Sequence, residues 1–139
     1  MTLNDVDTVL AIERGSFSEP WTREMFVAEL TGNPCARFFV AVAGDECVGY
    51  IGGWVVADEL QVVSLAVRPE ARRRRTASRL LSHLFAQAGA GIERAYLEVR
   101  RTNRAAIGVY ERFGFRVVGV RAGYYDHPKE DALVMERVM

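Results

Sequence analysis

Apolar side chains along this chain change period several times, and each change marks an element boundary. Over residues 5–13, Val6, Val9, Leu10 and Ile12 recur at helical spacing, with Asn4 as the expected cap and Gly15 and Ser16 as the expected stop. A second short helix is predicted over residues 23–30. There Met25, Phe26 and Leu30 recur at three-to-four spacing, Thr22 precedes the first turn and Gly32 follows the last. The pattern then turns β-rich: residues 37–43 and 47–56 flank the turn Gly44-Asp45-Glu46 and read as a hairpin. Residues 60–67 give a third strand after Asp58 and Glu59, ending at Arg68 and Pro69 because proline has no N–H for a ladder.

The clearest helix covers residues 76–88, where Ala77, Leu80, Leu81, Leu84, Phe85 and Ala88 form one apolar stripe closed by Gly89 and Gly91. A short strand at 95–99, a helix at 103–113 closed by Gly114, and strands at 115–120 and 132–138 complete the chain. This order predicts an α/β fold with a mixed central β-sheet flanked by about four helices. With 139 residues, half of them hydrophobic, and no internal repeat, a single domain over 1–139 is expected.

Charge narrows the partners. Lys plus Arg equals Asp plus Glu at 18 each, so no whole-molecule field draws the chain to nucleic acid or an acidic membrane. The longest apolar runs stop well short of the roughly 20 residues a membrane span needs. Cys35 and Cys47 lack metal-type spacing, and nothing at the amino end reads as a signal peptide, so a cytoplasmic setting is expected. There is no metal cluster, no Ser-His-Asp order and no dinucleotide glycine fingerprint; His83 and His127 read as helix-surface and loop residues. No metal is expected.

Two segments carry chemistry. The first runs from Val67 through Arg68-Pro69-Glu70-Ala71 and Arg72-Arg73-Arg74-Arg75 to Thr76 and Ala77, joining a strand to a helix whose first N–H groups lack partners. That is an anion site by construction, although four arginines in isolation would be a solvated run. The second is Leu97-Glu98-Val99-Arg100, then Asn103, Ala106, Ile107 and Tyr110, then Phe113-Gly114-Phe115. Asn103, Ala106, Ile107 and Tyr110 fall on neighbouring turns of one helix, so an amide and a phenol face the same side. On its own Glu98 is also explained by a salt bridge to Arg100 or Arg121, and Tyr110 by core packing.

These residues resemble the GNAT acetyltransferase superfamily. Its acetyl-CoA motif is Gln or Arg, two residues, Gly, one residue, then Gly or Ala; Arg72 matches the first position and Ala77 the last. The second segment is similar to the signature of the RimI-type ribosomal-protein alanine N-acetyltransferases, and the likeness extends through Phe17, Pro20-Trp21, Phe26, Tyr124-Tyr125 and residues 130–135. The resemblance implies that Arg72, Arg73, Arg74, Arg75, Thr76, Ala77 and Ser78 form the pyrophosphate site, with Leu65, Ala66 and Val67 along the pantetheine arm and Asn103 as a further cofactor contact. It also implies Glu98 as general base through water, Tyr110 as the acid for the departing thiolate, and Trp21, Tyr124 and Tyr125 at the acceptor groove. Taken alone, Leu65, Ala66 and Val67 are ordinary core residues, and the paired tyrosines are plain packing.

Two departures from the family pattern stand out. Arg75 occupies the motif glycine; a left-handed backbone there costs an arginine about 1–2 kcal/mol, and a guanidinium–phosphate bond is the available offset. The family also has a strand before its first helix, where this chain has only Met1 to Leu3, so that strand is expected to be short or missing.

The implied reaction is acetyl transfer from acetyl-CoA to a protein amino terminus, the amino-terminal alanine of a small-subunit ribosomal protein. An α-amine of pKa about 8 is about a third neutral near pH 7.5, whereas a lysine is only about 0.1% neutral, so a modest base suffices for the former. Three alternatives stay open from sequence: acetylation of lysines or small amines, a catalytically impaired acyl-CoA-binding module caused by Arg75, and nucleic-acid binding through the arginine run with Arg100, Arg101 and Arg104. Zero net charge argues against the last.

Overall fold

The computed structural model describes residues 1–72 and 75–139; Arg73 and Arg74, two of the expected pyrophosphate residues, lie outside the described residues. Six strands form one sheet: β1 (Ala36–Ala43), β2 (Glu46–Val56), β3 (Glu59–Val67), β4 (Arg94–Arg100), β5 (Arg116–Asp126) and β6 (Lys129–Val138). Their spatial order is β1-β2-β3-β4-β6-β5, and only β3 and β4 run parallel. A parallel pair needs a crossover, which is supplied by α3 (Thr76–Ala88). The other helices are α1 (Val6–Ser16), α2 (Arg23–Gly32) and α4 (Arg104–Arg112), so the mixed sheet with four helices is as expected.

Strand alternation sorts the core onto two faces. Ile51, Leu60, Leu97 and Met135 turn to one side and meet Leu80, Leu81 and Leu84 of α3 and Tyr110 of α4. Their neighbours Tyr50 and Ala66 turn to the other side, against Val6, Val9 and Leu10 of α1 and Phe26 of α2. Gly52 allows close layering there: a Cβ at this position would lie 2.3 Å from the Phe38 ring. The same alternation buries Ala95, Leu97 and Val99 of β4 under α3 and α4, leaving Tyr96, Glu98 and Arg100 for the opposite face.

Several boundaries differ from the sequence pattern. Gly15 and Ser16 do not end α1 but form its last turn, closed by the Phe17 N–H to Glu13 O at 3.0 Å. Burial of Ile12 in this part of the helix offsets the roughly 1 kcal/mol that a glycine costs in a helix. Asn4 is not the cap. It sits in a 3-10 turn, Leu3–Asp5, where Asp5 accepts the Thr2 N–H at 2.8 Å. Thr22 does cap α2, accepting the Met25 N–H at 3.3 Å, but that helix continues to Gly32. Among the described residues no strand precedes α1; the Met1 ammonium instead donates to Phe38 O of β1 at 3.1 Å. The largest difference is at the sheet edge. β5 continues six residues beyond Val120 and β6 begins three before Ala132. β5 is mostly exposed and interrupted by two register shifts, so no period-two burial pattern marks its length.

Candidate active site

The site arises where the sheet comes apart. β3 and β4 pair only through Glu59, Leu60 and Gln61 with Arg94, Ala95 and Tyr96. Beyond these pairs a cleft of about 440 Å³ opens between residues 62–65 of β3 and residues 97–100 of β4. A bulge sharpens the parting: Gly53 pairs with Val62 and Gly52 with Ser64, leaving Val63 as the extra residue. A bulged strand bends and twists. The cleft-side edge of β3 is consequently a row of peptide groups outside the β3–β4 ladder, suited to pairing with an extended ligand.

Glu98 lines this cleft from β4, and Tyr110 lines it from α4. The Glu98 carboxylate accepts Gln61 Nε2 at 3.3 Å and lies 3.4 Å from Arg121 Nε, so one of the two ion pairs considered from sequence does form. Arg100, the other option, points elsewhere. Its guanidinium bonds Pro128 O, His127 O and Ser18 Oγ, pairs with Glu130 at 3.3 Å, and lies 4.2 Å from the Tyr125 ring centroid. Burial, with a smaller contribution from Tyr125, pushes the Tyr110 phenol well above its ordinary value, so it stays protonated at neutral pH. Tyr125 is pushed up to about 12, again chiefly by burial.

The acceptor-side residues divide. Trp21 and Tyr125 both line the cleft, with Trp21 packed on Phe26 at a centroid distance of 5.1 Å. Tyr124 is not among the lining residues. It is half exposed, edge-on to Tyr125 at 5.0 Å and under Arg121. Arg100 joins the walls: the loop after α1 reaches the β5–β6 turn through Glu19, which accepts the Asp126 and His127 amides at 3.1 and 2.8 Å. Those amides hold the Glu19 carboxyl below its usual range.

On the donor side, Leu65 lines the cleft while Ala66 and Val67 are buried behind it. Val67 leads into the turn before α3, where Arg72 Nε donates to Val67 O at 3.0 Å and Thr76 Oγ1 to Ala71 O at 3.2 Å. Arg75 has the left-handed backbone that the motif glycine would supply, φ 60° and ψ 20°. Its side chain is exposed and shares an open groove with Ser78, Arg79, Ser82 and His83 along the outside of α3. Thr76, Ala77 and Ser78 follow as the first turn, where helix N–H groups lack intrahelical partners. Asn103 lines the cleft and also caps α4, its Oδ1 accepting the Ala106 N–H at 3.2 Å.

From sequence no site role falls to Glu13, Ser64 or Arg100, which line the cleft, nor to Gln61, which is outside the lining but donates to the Glu98 carboxylate. Arg100 closes the segment Leu97-Glu98-Val99-Arg100, and of the others only Glu13 left a signal. It continues the stripe of Val6, Val9 and Leu10, which places a carboxyl on the buried face of a helix.

The profile of the Acetyltransferase (GNAT) family matches residues 6–115, and the chain belongs to that family. A Bacillus subtilis relative, 39% identical over 97% of this chain and 90% of its own length, is named provisionally as a [ribosomal protein bS18]-alanine N-acetyltransferase. The Salmonella typhimurium protein named [ribosomal protein bS18]-alanine N-acetyltransferase is 31% identical over 97% of this chain and 92% of its own. The crystal structure of the ribosomal-protein-S18-alanine N-acetyltransferase from Escherichia coli superposes with a TM-score of 0.89 at 28% identity, covering 99% and 90% of the two chains.

Proposed function

We propose that the chain transfers the acetyl group of acetyl-CoA to the α-amine of a protein amino terminus, the amino-terminal alanine of a small-subunit ribosomal protein, in the cytoplasm. The observation that carries this reading is the parting of β3 from β4, which puts Glu98, Tyr110, Trp21 and Tyr125 around one cavity beside an unpaired strand edge. The near full-length relatives with that activity in their names support the choice of acceptor.

The residues fit the donor. The β3 edge at residues 62–67 offers peptide groups to an extended pantetheine arm, and the Thr76, Ala77 and Ser78 amides at the start of α3 offer a diphosphate site. Acetyl-CoA supplies an activated acyl carbon and a sulfur leaving group. Arg75 already holds the left-handed backbone that the motif glycine would supply, with its side chain outside the cleft.

The chain's own residues then handle protons. An amine attacks only when neutral, so Glu98 takes the proton released as the C–N bond forms, directly or through water, while Gln61 and Arg121 hold its carboxylate. Tyr110 meets the departing sulfur. Its buried phenol is always protonated at neutral pH, and its O–H stabilises the developing thiolate and yields its proton as the C–S bond breaks. Trp21 and Tyr125 give the first acceptor residue apolar walls.

The test is an acceptor panel read by mass spectrometry: peptides starting with Ala, peptides with a blocked terminus and one lysine, and small amines. Transfer to the Ala peptide is expected, with kcat lowered about 100-fold or more in Glu98→Gln and in Tyr110→Phe. Preference for the lysine peptide would move the function to side-chain acetylation, and full activity in both variants would remove their roles.

A further inference from the structure

The buried face of α1 carries a carboxyl that the acetyl-transfer steps leave unused. Glu13 is 2% exposed, and no Arg or Lys among the described residues pairs with it. Oxygen Oε2 accepts the Trp21 N–H at 2.8 Å, and Oε1 accepts the Tyr50 hydroxyl. The Tyr50 oxygen in turn lies 2.5 Å from Ser64 Oγ. Ser64 sits beside the β3 bulge and lines the cleft. Three hydroxyl or carboxyl groups thus run in unbroken contact from Ser64 at the cleft wall to the Glu13 carboxyl, which borders the same cleft but is almost wholly covered.

Resting on the amine-acetylation reading above, we propose that this chain takes up the proton an acceptor ammonium must lose before it can attack, with Ser64 as the point of entry and Glu13 as the terminus. While Glu13 is ionised the hydrogens point inward: Ser64 donates to Tyr50, Tyr50 donates to Glu13, and the Ser64 lone pairs face the cleft. An ammonium in the cleft donates to Ser64 Oγ. Its N–H bond breaks with the electron pair kept on nitrogen, the proton binds Ser64, the Ser64 proton moves to Tyr50, and the Tyr50 proton moves to Glu13. Ammonium plus carboxylate become amine plus carboxylic acid, with no atom or charge left over. The hydrogens now point outward, and the terminus resets by returning its proton along the same path to solvent. Glu98 is left with the second proton, the one released as the C–N bond forms.

Burial raises the proton affinity of Glu13, which brings a carboxyl closer to an α-amine of pKa about 8. Hydrogen bonds from Tyr50 of β2, the Trp21 N–H and Ser64 of β3 oppose that rise, and the other titratable and charged groups lining the same cleft are Glu98 and Arg100 of β4, Glu19 of the α1–α2 loop, Tyr110 of α4, Tyr125 of β5 and Glu130 of β6. Separately, the Trp21 N–H bond gives Glu13 a structural part in holding that loop, and the experiment has to tell the two roles apart.

Ser64→Ala does so, because it cuts the relay at its mouth and leaves the Trp21–Glu13 bond in place. The measurement is kcat/KM against pH with an Ala-starting peptide, for wild type, Ser64→Ala, Ser64→Thr and Tyr50→Phe. Ser64→Ala is expected to lose about 10- to 100-fold below the pKa of the peptide amine, with the deficit closing above about pH 8, where the amine arrives neutral. Ser64→Thr, which keeps a hydroxyl, should restore the wild-type profile, and Tyr50→Phe, checked by melting, should follow Ser64→Ala. A deficit constant across pH, or none, overturns the relay while leaving acetyl transfer standing. A wild type silent toward every amine overturns the acetyl-transfer reading itself, and the relay with it.

Discussion

The two faces of the sheet are built from different material. Under α3 and α4 the buried core among the described residues holds no charged side chain: Leu80, Leu81 and Leu84 close over Ile51, Leu60, Val62 and Leu97, with Tyr110 and Phe115 in edge contact beside them. Under α1 and α2, Trp21, Phe26, Phe38 and Tyr50 stand in edge or tilted contact beside Val6, Val9 and Leu10, and this core encloses the carboxyl of Glu13. Aliphatic packing is non-directional and its removal costs cavity energy, whereas a polar group in an aromatic nest costs desolvation unless its hydrogen bonds hold. One face thus stores stability and the other sacrifices some of it to keep chemistry next to the cleft.

Removing packing from the stabilising face should produce the larger effect. Leu84→Ala is expected to lower the unfolding free energy by about 2–5 kcal/mol in urea titration, since Leu84 is fully buried between α3 and the sheet. Turnover per folded molecule should stay near wild type, because Leu84 does not line the cleft. A large loss of kcat in the folded fraction would show that the two faces are not separable.

Changing the polar face should act in the opposite direction and depend on pH. A carboxyl whose folded pKa is raised contributes stability that is fully present below its unfolded pKa and is lost as pH rises through the folded value. Glu13→Gln does not ionise and escapes that loss. Its Tm should exceed wild type by a few degrees at pH 8, and the difference should shrink as pH falls. A Glu13→Gln melting below wild type at pH 8 would mean that the charged carboxylate holds the Trp21 loop more firmly than burial penalises it.

The same division explains what the sequence disclosed. Where one face of an element is buried, its period is visible, which is why residues 76–88 were read with the observed ends of α3 and why β4 and α4 differ by a single residue at each end. β5 was read too short because an exposed edge strand has no apolar face to mark it, and its ladder is made by peptide groups common to all residues. At the site, Glu98 and Tyr110 were found because they sit in a contiguous motif. Ser64 and Gln61 were not, since a serine and a glutamine in a strand acquire meaning only when the bulge puts Ser64 at the cavity wall and strand pairing brings Gln61 within reach of Glu98. Arg75 lies between these cases. Its motif position raises the question of a left-handed backbone, and the fold answers it with φ 60°.

All of the chemistry depends on the edge of β3 beyond Gln61 serving as the bed of an extended thioester ligand. Amide hydrogen exchange with and without saturating acetyl-CoA reads this directly, residue by residue. Slowed exchange is predicted for the amides of residues 62–67 and of Thr76, Ala77 and Ser78, with little change in β1. Identical exchange at millimolar acetyl-CoA, or protection confined to the outer groove of Arg79, Ser82 and His83, would contradict it.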